Sequence, residues 1–163
     1  MAASQPKPIS KSEQRSRWQR VSDIARRLGF VGRVEYHHIY SRTGGAQYGL
    51  AASAQQDSLI VYAEAFERDS DPKDYSLEAI LAHERGHQLL ARHRPLTRNL
   101  PADWSGVTEE IVASLLGSLL VNEEKDQQDL LLKATFEATN QGLDADRAIL
   151  FILELRTLLE KIL

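Results

Sequence analysis

The stretch AILAHERGHQLLARH, residues 79–93, holds three histidines and a glutamate in a pattern typical of one helix. Ser76 can cap that helix, and successive helical residues turn by about 100°. His83 and His87 then lie one turn apart, within about 40° of each other. Their ring nitrogens can bind one tetrahedral cation while Glu84, off to the side, reaches a water on that cation. This arrangement is typical of metal-assisted hydrolysis, with Glu84 as the general base.

The neighbours of the two histidines decide between a metal site and a surface helix that carries His, Glu and His by chance. On the helical wheel the apolar residues beside them are Ala79, Ile80, Leu90 and Ala91, and the polar residues opposite are Glu78, Arg85, Gln88 and Arg92. The histidines therefore belong to the buried face, where polar groups need partners. A shared cation supplies such a partner, and we favour the metal site.

His93 is the first candidate for a third ligand. It has the spacing of the last histidine in the metzincin motif H-E-x-x-H-x-x-G-x-x-H, but Leu90 stands where that motif has its helix-breaking glycine. In a continuous helix His93 points about 120° away from His87. The methionine turn of that class is also missing, since Met1 is the only methionine. We therefore exclude His93 as a ligand and expect it near the helix C-terminus, where the dipole favours an imidazole.

The segment TEEIVASLLGSLLV, residues 108–121, offers a glutamate instead. Its apolar arc comprises Ile111, Val112, Leu115, Leu116, Leu119 and Leu120, and its opposite face comprises Glu110, Ala113, Ser114, Gly117 and Ser118. Small side chains allow a close approach to another helix, and Gly86 allows the same from the other side. Glu110 lies on this small face, whereas the alternative, Glu109, falls toward the leucine arc. We favour Glu110 as the third ligand and expect Ser114, one turn on, to orient it or a histidine.

The periodicity of the whole chain predicts an α+β fold. We expect a helix over residues 13–28, strands within VEYHHIY, YGLAASA and SLIVYAEAF, and helices over residues 76–93, 108–122, 126–140 and 144–162. The strands are expected to form a small antiparallel sheet of about three strands, with the last two joined as a hairpin. A helical half then carries the HExxH helix and the following glutamate helix. Residues 1–12, rich in Ser, Pro and Lys, are expected to be a disordered tail, and residues 13–163 one domain.

Composition narrows the classes of partner. The chain has 163 residues, 42% hydrophobic and 26% charged, and its net charge of −3 gives no electrostatic case for nucleic acid. It has no cysteine, so a thiol nucleophile is excluded and a metal site depends on His, Asp and Glu. No signal peptide or membrane-spanning apolar run is present, so we expect a cytoplasmic protein with no membrane partner.

Three segments together resemble the ImmA/IrrE family of zinc metallopeptidases. VSDIARRLGF, AHERGH and EEIVASLLGS stand in the family's order and at similar spacing, within residues 20 to 122. The resemblance implies a minimal zincin-like fold, Zn²⁺ as cofactor, His83, His87 and Glu110 as ligands and Glu84 as catalytic base. It also implies a zinc-dependent endopeptidase that cleaves a protein substrate, in this family a transcriptional repressor. Ser114 departs from the family, which has asparagine at that position.

In similar enzymes the strand before the HExxH helix is an exposed edge that pairs with an extended peptide. SLIVYAEAF occupies that place in the chain. Its residues suit an interior strand equally well, but its position favours an edge, so we expect Leu59, Val61 and Tyr62 to bind substrate. The donor that would stabilise an oxyanion stays open among Tyr40, Tyr48, Tyr62 and His37.

Two other functions are compatible with parts of the sequence. VSDIARRLGF is typical of the start of a helix-turn-helix, but VGRVEYHHIY is strand-like where a recognition helix should follow, which excludes DNA binding. A metal-binding regulatory or interaction protein of the same fold, without peptidase activity, stays the alternative, and the intact Glu84 argues against it. The last segment, DADRAILFILELRTLLEKIL, has apolar residues on more than one stripe. It fits either a core helix, which we favour, or a homodimer surface.

Overall fold

The computed structural model describes residues 4–99 and 106–163, without the side chains of residues 106 and 107. Its elements are α1 (Lys11–Arg27), β1 (Arg33–His37), β2 (Ala46–Gly49), a 3-10 turn (Ala54–Gln56), β3 (Ser58–Tyr62), α2 (Ala63–Asp69), α3 (Leu77–Arg92), α4 (Arg94–Asn99), α5 (Gly106–Leu120), α6 (Glu124–Asn140) and α7 (Ala145–Ile162). This order of an N-terminal helix, strands and a helical half confirms the predicted α+β class. None of the helices in the described ranges is both long and apolar enough to cross a membrane.

Capping side chains explain where three of the long helices begin. Ser10, Ser76 and Asp144 each accept a hydrogen bond from the backbone N–H three residues further on, at the start of α1, α3 and α7. Such a cap contributes about 1 kcal/mol to helix stability. The capped start of α3 sets the register that places both histidines of the HExxH motif on one face.

The N-terminal segment, predicted to be a disordered tail over residues 1–12, forms no helix or strand between residues 4 and 10. Residues 1–3 lie outside the described residues, but Pro6 is buried and His38 Nε2 lies 2.7 Å from the Lys7 carbonyl. Helix α1 already begins at Lys11. Residues 11 and 12 therefore belong to α1, and the disorder of the segment before them stays a prediction.

The sheet is mixed, with the strand order β1-β3-β2. β2 and β3 pair antiparallel, as the predicted hairpin requires, but β1 and β3 pair parallel. The prediction of a wholly antiparallel sheet was therefore wrong. After β1 the chain crosses to the far edge of the sheet, forms β2 there and returns to the middle as β3, and only such a crossing allows a parallel pair.

The central position of β3 contradicts the expectation that SLIVYAEAF is an exposed edge. Both neighbouring strands pair with β3, and Leu59 and Val61 are 1% and 0% exposed in the core. The strand also ends at Tyr62, and the rest of the segment forms the first turn of α2. Leu59, Val61 and Tyr62 are therefore not on an edge open to a peptide. The edge strand that packs against α3 is β2.

The core has two parts that meet at α3 and α5. The first lies between α1, the sheet and α3, and includes Val21, Ile24, Leu59, Val61, Leu77 and Leu81. The second lies between α5, α6 and α7, and includes Leu115, Leu116, Ala134, Ile152 and Leu159. Helix α7 thus contributes to the core, while several of its apolar side chains, including Leu150 and Leu153, stay exposed.

Candidate metal centre

The centre forms where α3 and α5 cross with almost no side chain between them. A Cβ atom on Gly86 would lie 2.2 Å from the Ala113 carbonyl oxygen, and one on Gly117 would lie 3.0 Å from the Ala82 carbonyl carbon. The predicted small face of α5 is therefore the face that meets α3, and its Ser114 is buried. Since glycine alone leaves this space free, the two glycines permit the helices to approach closely.

Three side chains from the two helices meet at one point. His83 Nε2 lies 2.9 Å from Glu110 Oε2, His87 Nε2 lies 3.1 Å from Glu110 Oε1, and the two Nε2 atoms are 3.2 Å apart. These three side chains lie close enough together to hold a metal ion. Ligands about 2.0–2.1 Å from a tetrahedral ion are about 3.4 Å from each other, so the observed spacing needs only small adjustments.

The other ring nitrogen of each histidine also has a partner. His83 Nδ1 lies 2.9 Å from Ser114 Oγ, and His87 Nδ1 lies 3.2 Å from Glu109 Oε1. If each Nδ1 donates a proton to its oxygen, each Nε2 keeps a lone pair directed at Glu110. Three acceptors then face one another, and a cation between them removes their repulsion. Ser114 lies where the sequence predicted. Glu109, which the sequence offered only as an alternative ligand, instead contacts His87 at Nδ1, the ring nitrogen that does not face Glu110.

Charge and burial adjust the protonation of these groups. Burial lowers the pKa of His83 to about 4, which keeps its imidazole neutral at physiological pH. Burial acts in the same direction on His87, but the carboxylates of Glu110, Glu84 and Glu109 outweigh it and raise the pKa of His87. Hydrogen bonds with both histidines hold the pKa of Glu110 well below its usual range. Glu110 is therefore an anion beside two imidazoles, which is a donor set suited to a divalent cation.

Glu84 lies beside this cluster without joining it. Its Oε2 accepts a 3.0 Å hydrogen bond from the backbone N–H of Tyr48 in β2. Burial raises the pKa of Glu84 to about 7, although the nearby His87 imidazole and the hydrogen bond from the Tyr48 N–H both oppose that rise. A carboxyl group that titrates near neutrality can take up and return a proton during a reaction.

Asp57 is a buried acid that the sequence did not reveal. It is 0% exposed, and its carboxylate accepts hydrogen bonds from Arg92 at 2.7 and 3.1 Å, from the Gln88 amide at 3.0 Å and from the Tyr48 hydroxyl at 2.7 Å. The Arg92 guanidinium holds the pKa of Asp57 well below its usual range against the effect of burial. In the sequence Asp57 stands in a polar linker, QQD, that resembles an ordinary hairpin turn.

The Asp57 contacts connect β2 to α3. Gln88 and Arg92 follow Glu84 at successive turns of α3, and Tyr48 donates its hydroxyl to Asp57 and its backbone N–H to Glu84. Asp57 therefore fixes the edge strand beside the carboxylate that the sequence predicts to be catalytic.

A cleft of about 500 Å³ lies over the cluster, bordered by β2 on one side and by His83, Glu84 and His87 on the other. Of the four oxyanion candidates, Tyr48 alone lines this cleft within the described part of the chain. Its hydroxyl is held by Asp57, and the Tyr40 hydroxyl donates to Glu67. His93 ends α3 as its C-terminal cap and is not part of the cluster.

Comparison of the chain with models of known protein families, with curated proteins and with solved structures gave no match. The ImmA/IrrE resemblance therefore stays a prediction from the motifs.

Proposed function

We propose that this protein is a zinc-dependent endopeptidase in which His83, His87 and Glu110 bind the metal and Glu84 is the catalytic base. The observation that carries the proposal is the meeting of two imidazole nitrogens and a carboxylate within 3.2 Å, beside the separate, half-buried carboxyl group of Glu84. Two histidines and one glutamate form a catalytic zinc set, because they leave the fourth tetrahedral position open.

The chemistry divides between the ion and the side chains. Zinc, when bound, polarises the scissile carbonyl and lowers the pKa of a water molecule. Glu84 is half-buried and lines the cleft, where its carboxylate can accept the proton of that water and pass it to the leaving nitrogen. The Tyr48 N–H holds Oε2 of Glu84, so Oε1 is the oxygen free to carry the proton. Ser114 and Glu109 keep both ligand imidazoles in the tautomer that presents Nε2.

The substrate in this proposal is an extended segment of a protein. β2 pairs with β3 along one edge, and its other side borders the cleft, where the Tyr48 N–H is directed at Glu84. A peptide added to this edge would make backbone hydrogen bonds and bring a scissile bond next to the cluster. The more specific expectations, a transcriptional repressor as substrate and a cytoplasmic location, rest on the sequence resemblance and are part of the proposal.

The test compares wild type with Glu84→Gln, both loaded with zinc, on a panel of unfolded proteins and peptides. We expect specific cleavage by wild type, and a rate about 10² to 10⁴ times lower in Glu84→Gln, because general base catalysis contributes a factor of that size. Zinc content should be the same in both proteins, since Glu84 is not a ligand. Equal cleavage by the two proteins would refute the assignment of Glu84.

The alternative is a regulatory or interaction protein that binds metal and cleaves nothing. It predicts one zinc per chain in both proteins and no cut in any substrate. The panel therefore separates the two functions, provided that zinc content is measured on the same samples.

A further inference from the structure

The cleft contains a lysine whose ammonium group forms no salt bridge with the residues that the structure describes. Lys133 of α6 lines the cleft together with His83 and Glu84. Its ammonium group lies 5.9 Å from the centroid of the Tyr75 ring, and its charge acts to lower the pKa of both His83 and Glu84. Asp129, one turn earlier on α6, pairs with Lys125 at 2.6 Å instead. The charge of Lys133 is therefore available to a ligand in the cleft.

The second cation that lines the cleft is already neutralised. Arg68 Nε lies 3.0 Å from Asp74, and Nη1 donates to the Gly44 carbonyl at 2.8 Å. Its guanidinium also lies over the Tyr75 ring, 4.9 Å from the centroid. Arg68 and Lys133 thus both lie near the ring of Tyr75, but only Lys133 has a charge that is not already paired with a described residue.

The charges differ between the two ends of the cleft. Arg68 holds Gly44, just before β2, and Arg92 at the end of α3 donates to the Ala51 carbonyl, just after β2. β2 and α3 therefore run along the cleft in the same direction. Lys133 lies with Tyr75 at the start of both elements. At the other end is Glu109, beside His87, with a side chain that is 49% exposed.

We propose that Lys133 is a specificity-determining residue that binds an acidic side chain of the substrate, on one side of the scissile bond. The inference rests on the proposed peptidase function. An extended peptide that pairs antiparallel with β2 would place the residues after its scissile bond at the Lys133 end. The preferred substrate therefore carries Asp or Glu after the cut, and the Glu109 end disfavours acidic residues before it.

The test uses peptides that differ only by Glu, Gln or Lys at each position around the cut, with zinc-loaded protein. Wild type should cleave the Glu peptide up to about five times faster, in kcat/KM, than the Gln peptide at one position after the cut, as one charge pair in a partly exposed cleft allows. Lys133→Gln should lose this preference, and Lys133→Glu should transfer it to the Lys peptide. Lys161→Gln, an exposed lysine of α7 outside the cleft, is the matched control and should keep the wild-type preference.

The inference would be overturned if the wild-type preference persisted in Lys133→Gln, or if wild type showed no preference. It would also be overturned if the substitution lowered kcat equally for all peptides, which would place Lys133 on the reacting oxygen. Binding of the same peptides to zinc-loaded Glu84→Gln, measured by fluorescence anisotropy, gives a readout without cleavage. There, equal affinity for Glu and Gln peptides overturns the inference, whereas absence of cleavage by wild type refutes only the peptidase function.

Discussion

Replacing Gly86 with alanine tests the helix crossing that brings the metal-binding side chains together. The new Cβ would lie 2.2 Å from the Ala113 carbonyl oxygen and 2.9 Å from the carbonyl carbon. To restore ordinary contact distances of about 3.5 Å, α3 and α5 must separate by about 1 Å. Because the opposing atoms are backbone, no side-chain rotation can relieve the clash.

The expected cost follows from two opposing effects. In an unobstructed helix, alanine is about 1 kcal/mol more stable than glycine. Overpacking a tight contact costs typically 1–3 kcal/mol, and a backbone clash belongs at or above the upper end of that range. We therefore expect Gly86→Ala to lower the free energy of unfolding by about 2 kcal/mol. A shift of about 1 Å also exceeds the roughly 0.5 Å that a preorganised site tolerates, so zinc affinity should fall at least about tenfold.

Urea unfolding in the presence of a chelator measures stability without the contribution of bound metal, and competition with a chromophoric chelator measures zinc affinity. Gly117→Ala is the matched control in the same crossing, since its Cβ would meet the Ala82 backbone at 3.0 Å, a contact that a few tenths of an ångström relieves. It should change stability by less than about 1 kcal/mol. A Gly86→Ala protein as stable as wild type, with unchanged zinc affinity, would refute the described crossing.

Two further predictions concern the acids near the site. Asp57→Asn should lower the free energy of unfolding by about 2–3 kcal/mol at pH 7, because the amide cannot accept all the hydrogen bonds that the buried carboxylate accepts. The exposed Asp23→Asn, the control, should change it by less than about 0.5 kcal/mol in the same urea titration. The pKa of Asp57 is lowered by folding, so the charged carboxylate adds stability that is complete above the ordinary carboxyl pKa and is lost as the group protonates. The difference in free energy of unfolding between wild type and Asp57→Asn should therefore shrink as pH falls below about 4. A constant difference from pH 7 to pH 2 would contradict this. Glu109→Ala should weaken zinc binding about 10- to 100-fold, because it removes the acceptor that orients His87, yet keep one ion per chain; complete loss of zinc would make Glu109 a ligand.

The helical part of the site could be predicted because positions within one helix are fixed relative to one another. The spacing of His83 and His87 and the small face of α5 depend only on that geometry, and Gly86 and Ser114 lie where the wheels place them. The choice between Glu109 and Glu110 was harder, since adjacent residues at the start of a helix differ by only about 100°. In the structure both carboxylates approach His87, Glu109 at Nδ1 and Glu110 at Nε2.

The sheet could not be predicted in the same way. The alternation of Leu59 and Val61 is the same in a central strand and in an edge strand, and the crossing path between β1 and β2 has no local pattern. Asp57 was missed for a related reason. Its burial depends on Gln88 and Arg92, which are distant in sequence and were assigned to the polar face of their helix.

Metal analysis of the purified protein tests the central claim most directly, namely that His83, His87 and Glu110 together hold one ion. We expect one zinc per chain in wild type, loss of zinc in Glu110→Ala, and full zinc content in His93→Ala, whose histidine lies outside the cluster. Circular dichroism on the same samples checks that each variant is folded. Absence of stoichiometric metal in wild type, or unchanged zinc in a folded Glu110→Ala, would contradict the claim.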